Sequence, residues 1–213
     1  KAAAATCSAA GAFVTTWDTT KTGVSTNTQI RIPTTGTGYN YRVDINGDGD
    51  WADTSVGAAW NETTSRTGAV TIDFGAPGIY TVRICGAFPR MYFNNTGDRL
   101  KLLSIDQWGD NAWTNFQNAF YGAENMNVTA ADAPNLSGVT LMSQAFRNNY
   151  ALVGNASFNT WNTSTITNLT NTFTGASSFN APIGNWDVHA VTSFNSTFNG
   201  ATVFNQPLNN WDV

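Results

Sequence analysis

The sequence predicts a mainly β chain with short helices: an immunoglobulin-like β-sandwich over residues 1–86, followed by a leucine-rich-repeat-like solenoid of about 25-residue coils over residues 87–213. Three observations predict it. Short β-branched and aromatic runs separated by Gly, Asn and Asp fill the first part. Three tryptophans recur at a fixed interval in the second, and phenylalanines keep a constant phase between them.

The strand candidates of the first part are TQIRIPT (28–34), YNYRVDI (39–45), GAVTIDF (68–74) and GIYTVRICG (78–86). Each alternates or runs through residues that suit a pleated, half-buried surface, and several such strands at this spacing suggest a sandwich.

In the second part Trp161, Trp186 and Trp211 are evenly spaced, and Phe173 and Phe198 follow the first two at one constant offset, about midway to the next tryptophan. Carrying the frame backwards reaches Phe146, Phe120 and Phe93, with Trp108 preceding Phe120 by that same offset. Apolar residues fall four before each phenylalanine (Phe116, Met142, Leu169, Phe194) and six after it (Met126, Leu152, Phe179, Phe204). A unit this short cannot enclose a core alone, but stacked copies superpose equivalent side chains into a spine. Phe93, Phe120, Phe146, Phe173 and Phe198, with Trp108, Trp161, Trp186 and Trp211, are the expected repeat core. The spacing of apolar residues in VTSFNSTF (191–198) fits a short helical turn.

These residues carry a resemblance. FTGASSFNAPIGNWDVHAVTS (173–193) and FNGATVFNQPLNNWDV (198–213) resemble the BspA-like leucine-rich-repeat class of bacterial surface proteins, whose pattern runs F-x-G-A-x-x-F-N-x-P-I-x-x-W-D-V-S-x-V-T. The match is tight over 173–213 and looser over 113–168. His189 stands where the class usually has Ser, and the methionine four before the phenylalanine survives only as Met142. The resemblance implies a secreted or surface-anchored protein, often part of a larger adhesin, without catalytic residues to carry over. YRVDINGDG (41–49) and APGIYTVRICG (76–86) are similar to the PKD-like pattern, with Ile45 replacing its tryptophan and an Asn inserted. FVTTW (13–17) and residues 86–109 resemble a lead-in to such repeats, in which Phe93 and Leu100 to Ile105 close the open end of the array against the sandwich.

Composition removes several function classes. Lys+Arg number 10 against Asp+Glu 14, a net charge of −4, so no basic stripe is available for a phosphate backbone and nucleic acid is not an expected partner. No apolar run is long enough to span a bilayer as a helix, and no membrane insertion is expected. The start, KAAAATCSAAGAF, lacks a signal peptide's apolar stretch and reads as a mature or trimmed N-terminus. Ending in mid-repeat, the chain reads as a piece of a longer one. A Cys7–Cys85 disulfide suits an exported protein, with two buried thiols as the alternative.

One stretch has the residue types of a metal site. In VDINGDGDWAD (43–53), Asp44, Asn46, Asp48 and Asp50 alternate around Gly47 and Gly49, imitating the start of a calcium loop, with Asp53 as a later ligand. An EF-hand would place Glu at the position held by Ser55, so any calcium would be structural and bound outside that motif. The alternative is a hairpin whose Asn-Gly and Asp-Gly pairs supply positive φ.

Other candidates carry less. His189, the only histidine, reads as a surface substitution before it reads as a ligand or base. The Trp-Asp pairs at 186/187 and 211/212 read as core tryptophans with turn-capping aspartates before they read as a glycan-stacking ladder. Asn180, Asn185 and Asn205 are candidates for amide ladders between coils. A glycoside hydrolase needs two carboxylates across a cleft; stacking puts Asp187 and Asp212 on one edge, and Glu62 and Glu124 have no evident partner. The expected function is a non-catalytic adhesion or interaction module at the cell surface or secreted, binding host or matrix protein or glycan through the repeat surface. A passive stalk of a larger adhesin is the milder alternative.

Overall fold

A computed structural model describes residues 7–57 and 59–213. Residues 1–6, most of the run read above as a trimmed N-terminus, lie outside the described residues.

Among the described residues, seven strands form two sheets. They are β1 (Phe13–Asp18), β2 (Gln29–Ile32), β3 (Asn40–Asp44), β4 (Val70–Asp73), β5 (Ile79–Ala87), β6 (Leu102–Gln107) and β7 (Asn127–Val128). The larger sheet has the order β3-β5-β1-β6-β7, and β2 and β4 pair separately. β1 is antiparallel to both of its neighbours, whereas β6 and β7 are parallel, so the sheet is mixed. Alternation decides which side is buried: in the β2–β4 pair Ile30 faces Ile72 inside, while Arg31 and Thr71 face each other outside.

The expected architecture of a separate sandwich and a solenoid is overturned. β1, from the first part, is held on one edge by β5 and on the other by β6, which lies in the second, and β5 itself runs through residue 86. One hydrophobic core extends without a break from Phe13 to Val188. At the join Phe13 packs against Phe88, Trp108 and Trp113, at ring-centroid distances of 6.3, 5.8 and 4.9 Å. The physical reason lies in the edges. A separate sandwich would leave the second edge of β1 unpaired, and a separate array would leave its first coil uncovered; one shared sheet removes both liabilities. The molecule is a single mainly β domain.

Polar ties reinforce the join. Buried Asp98 accepts hydrogen bonds from the backbone N–H of Val24 (2.7 Å), Ser25 (3.1 Å) and Arg31 (2.6 Å). Lys101, also buried, donates to the carbonyls of Ser25, Thr26 and Gln29. A 3₁₀ turn, Arg99–Lys101, leads from Asp98 into β6 and carries Lys101 at its end.

Beyond β7 the repeats form no closed solenoid with a strand and a helix in each unit. Described regular structure is reduced to a 3₁₀ turn, Ala156–Thr160, capped by the Asn155 side chain, and single parallel bridges such as Leu141 to Asn168 and Asn168 to Ser193. The expected helical turn at 191–198 is absent. Its cause recurs in every unit: the residue two before each phenylalanine has positive φ (Asn118 57°, Gln144 58°, Asn171 56°, Ser196 56°). A left-handed residue there breaks any right-handed helix.

Along the phenylalanine edge the coils instead join through a ladder of backbone hydrogen bonds running one way. The N–H of Phe120, Phe146 and Phe173 donates to Ala145, Thr172 and Thr197 of the next coil at 2.8–2.9 Å. Amides two residues later do the same, Gly122 to Arg147, Asn148 to Thr174 and Gly175 to Asn199. Within this frame Phe120, Phe146, Phe173 and Phe198 stack nearly parallel, with successive centroids 5.6, 5.6 and 5.7 Å apart. Trp161 lies over Trp186 at 5.9 Å, and Trp211 packs on Phe194 and Phe198. Phe93 sits against Trp17 at 6.0 Å, and Trp108 against Trp161 at 5.5 Å.

Candidate functional site

Two regions carry chemistry outside the core. The first is the acidic turn after β3. Asp44, at the end of that strand, is fully buried and points its carboxylate back into the turn, where it accepts from the N–H of Gly47 (2.6 Å) and Gly49 (2.9 Å). Gly47 and Gly49 have φ of 75° and 89°, which lets the chain fold around that carboxylate. Burial pushes the Asp44 carboxyl above its usual range, and the two glycine amides and Arg83, 3.6 Å away, oppose that.

The turn leaves Asp48 and Asp50 exposed and Asp53 half-buried, with carboxylate oxygens mutually within 4.8 Å. The Asn46 amide bridges Asp48 (2.9 Å) and Asp53 (2.8 Å). Of the five residues expected at a metal site, the structure therefore gathers Asp48, Asp50 and Asp53, sets Asn46 between two of them, and turns Asp44 inward to organise the backbone.

Sequence reasoning missed Glu62, which the fold sets beside this turn. It is fully buried; its Oε1 accepts from the N–H of Ile45 at 2.8 Å, its own N–H donates to the Asp53 carbonyl at 2.9 Å, and Oε2 has no partner among the described residues. Burial pushes its carboxyl up to about 7; the Ile45 N–H resists this, and repulsion from Asp44, Asp53 and Asp48 adds to it. The one available signal was a lone glutamate well downstream of Asp44 in a chain with few charges, too little to place it. Cys7 and Cys85 form a disulfide, with Cα atoms 5.4 Å apart, tying the N-terminal segment to β5.

The second region is the surface of the repeats. Registry aligns like side chains into rows. The N–H and hydroxyl of Thr167 donate to the Thr140 carbonyl, and those of Thr192 to the Thr167 carbonyl. Asn159 and Asn180 accept from the N–H of Asn185 and Asn205, each at 2.9 Å. Two arginines stand out in this sparsely charged coat: Arg147 lies 5.0 Å over the Tyr121 ring and Arg90 4.5 Å over Tyr92. All four side chains are partly exposed.

Asp187 and His189 form an exposed pair with Oδ1 and Nδ1 2.5 Å apart. That hydrogen bond raises the imidazole's pKa and lowers the carboxyl's, and Asp212 adds a smaller upward push on His189. The two aspartates thus share one edge beside a single histidine. A cleft of about 640 Å³ lies between the end of β5 and residues 110–114, and among the described residues Asp110 is the one carboxylate in its lining.

Fold and surface together define a β protein with a stacked-repeat extension and a polar, hydrogen-bonding face. Residues 102–213, more than half of the chain, match the family model described as Mycoplasma protein of unknown function, DUF285, and the chain belongs to that family. The match covers the repeats from β6 onward and carries neither a leucine-rich-repeat nor a PKD assignment. No curated protein and no solved structure matches the chain.

Proposed function

We propose that the chain is a non-catalytic interaction module of a bacterial surface or secreted protein, with repeats akin to the BspA-like surface class, and that it binds glycan through its repeat face. One observation carries the reading: coil-to-coil registry aligns Thr140, Thr167 and Thr192 in one row and pairs Asn159 with Asn185 and Asn180 with Asn205, in the same repeats that hold Arg147 over the partly exposed Tyr121 ring. Hydroxyl and amide rows at a regular spacing complement a polysaccharide's hydroxyls, an aromatic ring offers a sugar its flat face, and arginine supplies a fork of donors. Many weak contacts of this kind add through avidity. The disulfide fits an oxidising, extracytoplasmic compartment.

A panel of immobilised glycans and matrix proteins probed with the whole chain tests this. Binding to a glycan class, weakened at least tenfold by Arg147→Ala together with Tyr121→Ala, is the expected result. Binding confined to matrix proteins would replace glycan by protein as the ligand. Silence on both panels would overturn the proposal and favour a passive stalk.

A further inference from the structure

Five carboxylates converge on the turn between β3 and residue 62, those of Asp44, Asp48, Asp50, Asp53 and Glu62, and Arg83 is the only cation forming an ion pair with any of them among the described residues. Arg83 is engaged by Asp44 and by the Gly47 carbonyl, on the β5 side of the turn. The others have only neutral donors: Asp48 and Asp53 share the Asn46 amide, and Asp48 and Asp50 each accept a backbone N–H within the turn.

Glu62 supplies the observation that a surface acidic cluster alone would lack. Its side chain is entirely buried, one oxygen is held by Ile45, and the other is shut away from water without a donor. Its Oε1 accepts from the N–H of Ile45 and its own N–H donates to the Asp53 carbonyl, so it joins the start of the acidic turn to its end. Burying an ionised carboxylate with a bare oxygen behind three further carboxylates is strongly unfavourable unless a proton neutralises it or a cation completes the set.

We infer that Asp48, Asp50 and Asp53 hold a calcium ion, with the buried Glu62 carboxylate behind them supplying the charge that it compensates. Oxygens ligating calcium lie about 2.3–2.6 Å from it, so those on opposite sides are about 5 Å apart, and the three aspartates already fall inside that span at 4.8 Å. All the donors are hard oxygens on a glycine-bearing loop, which suits the loose, many-oxygen shell of calcium better than the tight octahedron of magnesium. Bound there, the ion draws the Asp48–Asp53 loop against Glu62 and the end of β3. Asp44 keeps its two turn amides and serves as a positioning residue.

Terbium luminescence on the whole chain tests the site, because Trp51 follows Asp50 directly and can sensitise a lanthanide at this turn. Saturable emission is expected, displaced by calcium with a midpoint of about 10⁻⁴–10⁻³ M, as in other extracellular calcium modules, and far less readily by magnesium. Asp50→Asn, an exposed and near-isosteric change, is expected to weaken binding at least tenfold. Glu62→Gln keeps an acceptor for Ile45 and is expected to weaken calcium binding severalfold while raising the melting temperature of the ion-free protein. Absence of saturable emission, or emission indifferent to Asp50→Asn, would overturn the site. A Glu62→Gln protein with unchanged calcium affinity would remove Glu62 from it.

Discussion

The two ends of this molecule satisfy their backbones by opposite means. Toward the N-terminus, β1, β3 and β5 exchange hydrogen bonds in antiparallel pairs, so each strand both gives to and takes from its neighbour. From Phe93 onward the phenylalanine edge of each coil gives its amides forward and takes nothing back through the same groups, and the chain reverses direction at left-handed residues such as Asn118 and Gln144. The first arrangement tolerates varied side chains because the strands fix themselves. The second demands a repeated sequence, because each phenylalanine must meet its own equivalent one coil away. What joins the two is a strand, β1, that pairs with both.

The strongest challenge to this comparison is Phe146→Ala. Phe146 is fully buried between Phe120 and Phe173, and truncation of such a ring costs about 3–5 kcal/mol. With one continuous core, calorimetry is expected to show a single transition moving down as a whole. Two transitions, the β1–β5 part unmoved, would divide the molecule after all.

A smaller effect sharpens the role of the join. Asp98→Ala strands the amides of Val24, Ser25 and Arg31 and removes the carboxylate that most favours the Lys101 charge, a loss of about 3 kcal/mol. Hydrogen exchange should quicken at those three amides ahead of the rest. Unchanged protection there would show that β1 alone holds the halves together.

The least effect lies at the exposed end of the repeats. The Asp187 hydrogen bond raises the His189 pKa above its usual value near 6.5, so its small stabilisation is complete below that value and fades as pH climbs through the raised one. An NMR titration of the imidazole should give a midpoint above 6.5 that falls in Asp187→Asn. A midpoint indifferent to that change would remove the pair.

The legible parts of the fold were those written in side chains that meet their own kind. The phase of Phe120, Phe146, Phe173 and Phe198 could be read because stacking needs the same ring at the same place, and the four strand candidates of the first part coincide with β2 to β5. The apolar residues of β1 announce a buried face but say nothing about who pairs with its second edge, so the single shared sheet was hidden. Helical spacing at Val191, Phe194 and Phe198 misled because the left-handed positions are filled by Asn, Gln and Ser in turn, none of them a uniform mark like glycine. The acidic turn advertised itself through Asp48, Asp50 and Asp53, while Glu62 reaches it only through tertiary folding.

The one-way ladder has a further consequence. Every peptide group carries a dipole of about 3.5 D, and where N–H bonds point forward in coil after coil those dipoles add along that edge of the stack as they do along an α-helix. The phenylalanine edge is therefore a polar column, with carbonyl oxygens toward the sheet and amide hydrogens toward the far coil. Its two ends are chemically unlike, and any coil that extends it beyond the last one must arrive there carbonyl first.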